Sequence, residues 1–304
     1  MKTKYLWRWL GRVCLEMLQG RLGGLSRRGQ ERLARVIARV LWLFQRRRRT
    51  LMLELMRQAL GDKLSESELL EIRRAAYLNM ACVIVEVLRM PSLTTQQLHE
   101  LVRLEGEEHL QQALAKGKGV IIITAHFGNW ELFGARLVEA CGAGRFDVIA
   151  QPQRDLQLTR LIDSIRLKHG VKVIARGNAA RETLRALKQG EAVGILLDLD
   201  MKEKGIFTEF LGRPASTASG PAAFALRTGA TVISAFDYRQ PDGTHVGCLG
   251  GPIEITNTGN WESDLKANTA RFTEVIEKHV RARPDHWVWI PDRWRTRPAE
   301  EDKR

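Results

Sequence analysis

From Gly119 onward, five short runs rich in apolar, β-branched residues recur along the chain: Val120–Thr124, Asp147–Ala150, Val171–Ile174, Ala192–Leu197 and Thr231–Phe236. Stretches of helical character near Trp130–Cys141, Asp155–His169, Asn178–Gln189 and Gly220–Thr228 separate them. A strand covered on both faces needs a continuous apolar run, whereas a strand with one wet face alternates. Runs of the first kind joined by helices predict an α/β fold with a largely parallel central sheet flanked by helices. A strand or hairpin near His245–Ile255 and a long helix from Trp261 to about Arg283 complete it. Upstream, Leu51–Met90 reads as two helices divided at Gly61–Leu64, the second opened by Ser65 and Glu68 at capping-box spacing. The expected organisation is an N-terminal amphipathic arm (residues 1–50) and a body (51–304), made of a helical lead-in (51–115) and the α/β core (116–304).

In open parallel sheets ligands bind beyond the carboxyl ends of the strands, so the end of the first strand is the first place to search. The sequence there is Thr124-Ala125-His126-Phe127-Gly128-Asn129-Trp130-Glu131. On one continuous helix His126 and Glu131 would point about 140° apart, since each residue turns ~100°. If His126 instead ends the strand, Gly128 permits a tight turn and Asn129 caps the next helix. Glu131 then falls in its first turn and can fold back toward the imidazole. With seven histidines and 35 acids in the chain, roughly 0.8 such spacings arise by chance, so the offset carries no weight without its context.

The formal charge of +13 is concentrated at one end. Residues 1–50 hold 14 of the 48 basic side chains and only two acids, Glu16 and Glu31, so about +12 of the net charge belongs to the arm. Within it, Leu33, Val36, Ile37, Val40, Leu41 and Phe44 recur at helical spacing, opposite Arg32, Arg35 and Arg39 and just before Arg46–Arg49. An amphipathic basic helix is expected, docked on the body, on an anionic membrane surface, or on both through different faces. Nucleic acid is not an expected partner, because the excess charge is confined to the arm and no recognised nucleic-acid motif is present. The four cysteines are far apart, with no zinc spacing, so neither a metal nor a cofactor is expected. Arg8 and Arg12 interrupt the opening apolar stretch, which argues against a secretory leader, and no window has the charge-free length of a spanning helix.

The segment Lys116–Glu131, with Lys-Gly-Lys-Gly, Val120–Thr124 and His126 through Glu131, closely resembles the first motif block of the lipid A biosynthesis acyltransferase family, a branch of the glycerolipid acyltransferase superfamily. Asp198-Leu199-Asp200 is similar to that family's paired-aspartate segment. Phe210–Pro221, followed by Arg227-Thr228-Gly229-Ala230, resembles its substrate-binding block, and Pro284–Trp289 with Arg293-Trp294 its closing tryptophan-rich motif. The resemblance runs from about Arg49 to Arg297. It departs where members commonly carry Arg-Pro and then Asn, here Gln151-Pro152 and then Asp155, and where Leu199 replaces Gln.

The resemblance implies transfer of a fatty acyl chain from an acyl-carrier-protein thioester to a hydroxyl of a phosphorylated glucosamine lipid, at the cytoplasmic face of the inner membrane. His126 would be the general base and Glu131 would accept from its other ring nitrogen, setting the tautomer. No G-x-S-x-G elbow is present, so direct transfer is expected. Asn129, Arg154, Asp198, Asp200, Arg213, Thr217 and Gly220 are the candidate substrate-binding residues. Arg213 and the helix start at Gly220 suit phosphate, and Arg154 stands where it can replace the missing cation. Trp287, Trp289 and Trp294 read first as core. Arg176, Arg181 and Arg185 form a basic row for an acidic carrier or for solvent. The rival readings are another glycolipid or glycerolipid acceptor and, in a different class, a non-catalytic basic peripheral membrane protein.

Overall fold

The computed structural model of the chain describes residues 22–150 and 155–298, the side chain of Arg176 excepted. Three helices come first: α1 (Arg27–Phe44), α2 (Arg46–Leu60) and α3 (Glu66–Arg89). Ser26 caps α1, and Ser65 with Glu68 closes a full capping box on α3, because each satisfies N–H groups a helix start leaves unpaired. The run Arg46–Arg49, expected to end the arm helix, instead opens α2 after a break at Gln45.

The remaining elements in order are α4 (Thr95–Leu101), β1 (Val102–Glu105), α5 (Glu107–Ala115), β2 (Val120–Thr124), α6 (Trp130–Cys141), β3 (Phe146–Ala150), α7 (Leu156–Lys168), β4 (Lys172–Ala175), α8 (Ala179–Lys188) and β5 (Ala192–Leu196). They are followed by β6 (Ile206–Phe210), β7 (Arg213–Thr217), α9 (Gly220–Thr228), β8 (Thr231–Arg239), β9 (His245–Leu249) and α10 (Trp261–Ala282). Seven strands form one sheet in the order β1-β9-β8-β2-β5-β3-β4, and β6 pairs with β7 as a separate antiparallel hairpin. The neighbours from β8 to β4 are parallel, while β9 runs antiparallel to β8 and carries β1 with it.

The continuous apolar run of β2 is explained by its two covers. Ile121 and Ile123 pack with α8, α9, α10 and the tryptophans, whereas Val120 and Ile122 pack with α5, α6 and α7. Burying both faces at ~25 cal/mol per Å² of apolar surface drives this layering. β1 lies inside the segment expected to be a helical lead-in. Its alternation, with Val102 buried and Arg103 and Glu105 exposed, is that of an edge strand with one wet face.

α1 lies along α3, with Ala34, Ala81 and Val85 as the buried contact and Leu33, Ile37 and Ala38 beside it. The expected apolar stripe is therefore divided. Its other edge, Val36, Val40, Leu43 and Phe44, is open to solvent, Phe44 at 83%. Among the described residues no helix is long and apolar enough to cross a membrane.

Candidate active site

Parallel pairing brings the site together. β2 and β5 are in register, Thr124 opposite Leu196, so His126 and Asp198, each two residues further on, emerge side by side. His126 Nδ1 lies 2.9 Å from Asp198 Oδ1, while Asp198 Oδ2 accepts from the His126 backbone N–H and from Trp287 Nε1, both at 2.9 Å. A carboxylate with three donors around it stays ionised. Burial alone would push the Asp198 carboxyl up, but His126 and the hydrogen bonds outweigh this and hold it below the usual range. Burial likewise disfavours imidazolium at His126, yet the Asp198 charge and hydrogen bond raise it above the ordinary histidine value, with a smaller push from Glu131. Nδ1 thus carries the proton toward Asp198. Nε2 has no hydrogen-bond partner among the described residues, and the side chain is 27% exposed.

After His126 the chain turns at Gly128 (φ 57°), where a Cβ would stand 2.0 Å from the Asp237 carbonyl oxygen, so only glycine fits. Asn129 caps α6 by accepting from Leu132 N–H at 3.0 Å, and Glu131 falls in the first turn. The carboxylate does not reach the imidazole. It accepts a two-pronged bond from Arg166 of α7, Nε at 2.8 Å and Nη2 at 2.5 Å, and a third from Trp130 Nε1 at 3.2 Å. Trp130 stands edge-on to the His126 ring, centroids 5.0 Å apart, while its indole N–H goes to Glu131. The expected His126–Glu131 hydrogen bond is replaced by His126–Asp198, because strand register places Asp198 closer than the start of the following helix places Glu131.

The other expected binding residues are distributed differently. Asn129 is fully buried, and its amide spans Leu132 and Glu86. Thr217 is fully buried, its hydroxyl shared with Thr208 at 2.8 Å and Arg293 at 2.5 Å. Both side chains are taken up by partners within the protein. Asp200 accepts from Lys202 N–H at 3.1 Å and from Thr296 Oγ1 at 2.8 Å. Arg213 opens β7 with its guanidinium 4.8 Å above the Trp294 ring, and Gly220 opens α9 without a side-chain cap. Arg154, with Gln151 and Pro152, lies outside the described residues, as does the Arg176 side chain; Arg181 and Arg185 stand on α8. Trp287, Trp289 and Trp294 are core, each indole N–H satisfied.

Arg166 escaped the sequence reading altogether, and Arg293, named there only within the closing motif, was given no role. Arg166 sits 35 positions from Glu131, and nothing local marks it. Arg293, only 1% exposed, donates to the Leu199 and Ser216 carbonyls and so ties the Asp198–Asp200 loop to β7; burial pushes its guanidinium down to about 10. A narrow cavity of about 60 Å³ continues inward from Glu131 and Arg166 between α6 and the sheet, walled by Thr124, Gly134, Phe146 and Val171.

A strand-end histidine held by a buried carboxylate, beside an arginine and an apolar cavity, is a layout for acid–base chemistry on an amphiphile. The chain belongs to the bacterial lipid A biosynthesis acyltransferase family, whose profile matches residues 1–296. It is 26% identical over 215 residues to a phosphatidylinositol mannoside acyltransferase of Mycobacterium tuberculosis, covering 69% of this chain and 66% of that protein. It is 28% identical to a lipid A biosynthesis acyltransferase of Haemophilus influenzae, covering 65% and 60%. A lipid A biosynthesis palmitoleoyltransferase of Escherichia coli is 27% identical, covering 65% and 63%. In each case the match spans less than two thirds of the relative's own length.

Proposed function

We propose that the protein is an acyltransferase that moves a fatty acyl chain from an acyl-carrier-protein thioester to a hydroxyl of a lipid A precursor, with His126 as general base. The observation that carries this reading is the orientation of His126: Nδ1 is held by buried Asp198 and Nε2 is left to meet a hydroxyl. Nε2 takes the acceptor proton as its oxygen bonds to the thioester carbon, and the imidazolium returns that proton to the departing thiolate sulfur. Asp198 stabilises the imidazolium between those steps. Glu131 works at one remove, holding Arg166 and its charge beside the reacting groups.

A second reading, transfer to a different glycolipid, is favoured by two observations. The mycobacterial relatives carry the name phosphatidylinositol mannoside acyltransferase, and this chain has Gln151 and Asp155 where the resemblance expects Arg and Asn. We place the enzyme peripherally on the cytoplasmic face of the inner membrane, held by the open apolar edge of α1 and the arginines that follow it.

The test is mass spectrometry of lipids from cells with and without the gene, together with transfer assays of purified wild type and His126→Ala. We expect one acylated glycolipid to disappear with the gene, and a loss of at least ~10²-fold in His126→Ala. Near-wild-type transfer by that variant would sink the mechanism.

A further inference from the structure

Around Asn129, three residues on from His126, lies a buried charged cluster that none of the chemistry above uses. Two carboxylates hold Asn129: Asp237 Oδ2 accepts its backbone N–H at 2.7 Å, and Glu86 Oε2 accepts its side-chain amide at 2.8 Å. Between them stands His245, with Nδ1 2.7 Å from Asp237 Oδ2 and Nε2 3.3 Å from Glu86 Oε1. Neither ring nitrogen has an acceptor's role open to it, since each faces a carboxylate oxygen, so the ring must donate twice. Arg239 forks onto Glu86 from β8 and donates through Nε to Asn79 at 3.3 Å. Asn79 in turn donates to the His286 carbonyl, which also receives the Gly128 N–H at 3.0 Å. α3, β8, β9 and the closing segment therefore converge on two consecutive residues of the loop that carries His126 and starts α6.

We propose that Glu86, Asp237 and His245 form a positioning unit for this loop, with His245 bridging the two carboxylates as an imidazolium, and that the unit sets the orientation of His126 for acyl transfer. The proposal rests on the general-base reading of His126. Two carboxylates opposed by two cations, His245 and Arg239, balance charge in the cluster: the His245 and Asp237 side chains are fully buried, where an unpaired charge would be costly, while Glu86 and Arg239 line an open cavity on the other side. A shift of the loop by about 1 Å is enough to lower a rate ~10²-fold. The charged groups facing the imidazole are Asp237 from β8 and Glu86 from α3, with Arg239 behind Glu86. β1 presents Val102 at the paired register position, and the loop presents Asn129, neither of which titrates. Burial disfavours the imidazolium, but the two carboxylates outweigh it and hold His245 up to about 9; Glu86, which burial alone would raise, is lowered to about 2 chiefly by His245 and Arg239.

The experiment uses the full chain labelled with ¹³Cε1-histidine, wild type and His245→Gln. It combines steady-state kinetics, each substrate varied, with histidine resonances followed against pH. We expect kcat to fall at least ~10-fold in His245→Gln with each KM within ~3-fold, and the His126 resonance to shift. The resonance absent from the variant should keep its imidazolium position in wild type to about pH 8. A His245 that is neutral at about pH 7, or a folded His245→Gln with unchanged kcat and unmoved His126, overturns the proposal. If His245→Gln does not fold, Glu86→Gln keeps the volume and one acceptor for Asn129 and is read in the same way. Full transfer by His126→Ala, run in parallel, defeats the general-base reading; an unmoved His126 resonance in the cluster variants defeats the positioning unit alone.

Discussion

Asp198 serves His126 and the core with one carboxylate, taking the imidazole Nδ1–H on one oxygen and the His126 backbone and Trp287 indole N–H groups on the other. Its charge is the part chemistry needs, since an imidazolium formed in a buried site is costly without a counter-charge. A general base works only when neutral, so under the proposed role of His126 the rate should climb as pH rises through its pKa, which Asp198 raises above the ordinary value of 6.5. In Asp198→Asn the burial remains and the charge is gone, so the acid limb of the pH–rate profile should move to lower pH. The maximal rate should fall by roughly 10²–10⁴-fold, because an amide neither stabilises imidazolium nor enforces the tautomer. The profile of kcat/KM against pH checks both, and an acid limb that stays in place would assign the raised basicity to another group.

The Glu131–Arg166 pair joins α6 to α7 across the mouth of the cavity, with both side chains mostly shielded at 13% and 16% exposure. Losing Glu131 leaves Arg166 with only the more exposed Asp163 at 3.2 Å, and losing Arg166 leaves the Glu131 carboxylate with only the Trp130 indole N–H, so each single substitution should disturb the site about as much as losing both. Glu131→Ala and Arg166→Ala should each lower transfer at least ~10²-fold, and the double variant should be no worse than the poorer single. A double-mutant cycle measures this. Additive losses would mean that Glu131 and Arg166 act on the reaction separately, and would return a direct role to Glu131.

At the scale of the molecule, α1 has one edge packed on α3 and the other bare. Val40, Leu43 and Phe44 are 47%, 70% and 83% exposed, so replacing all three with Ser should leave the fold's stability nearly unchanged. It should, however, weaken flotation with neutral and anionic liposomes alike, and replacing Arg46–Arg48 by Gln should weaken it only with anionic ones, in a salt-sensitive way. Each basic residue near such a surface is worth roughly 1 kcal/mol, and that share is screened. Undiminished flotation of both variants would place the anchor elsewhere in the chain.

What the sequence determined by itself is what neighbours along the chain decide. The two-sided apolar run of Val120–Thr124, the Asn129 cap, the Gly128 turn and the Ser65–Glu68 capping box are local, and each stands where its residue types put it. His126 at a strand end was legible for the same reason. Its partner was not, because parallel register between β2 and β5 is settled by the packing of both faces and the helices between them, over 72 residues of chain. Arg166 beside Glu131, His245 between two carboxylates and β1 at the sheet's far edge likewise follow from long-range contacts that leave no periodic mark. The divided face of α1 shows the limit most plainly: amphipathic spacing specifies that one side is apolar, while only the docked position of α3 decides which of those apolar residues remain uncovered.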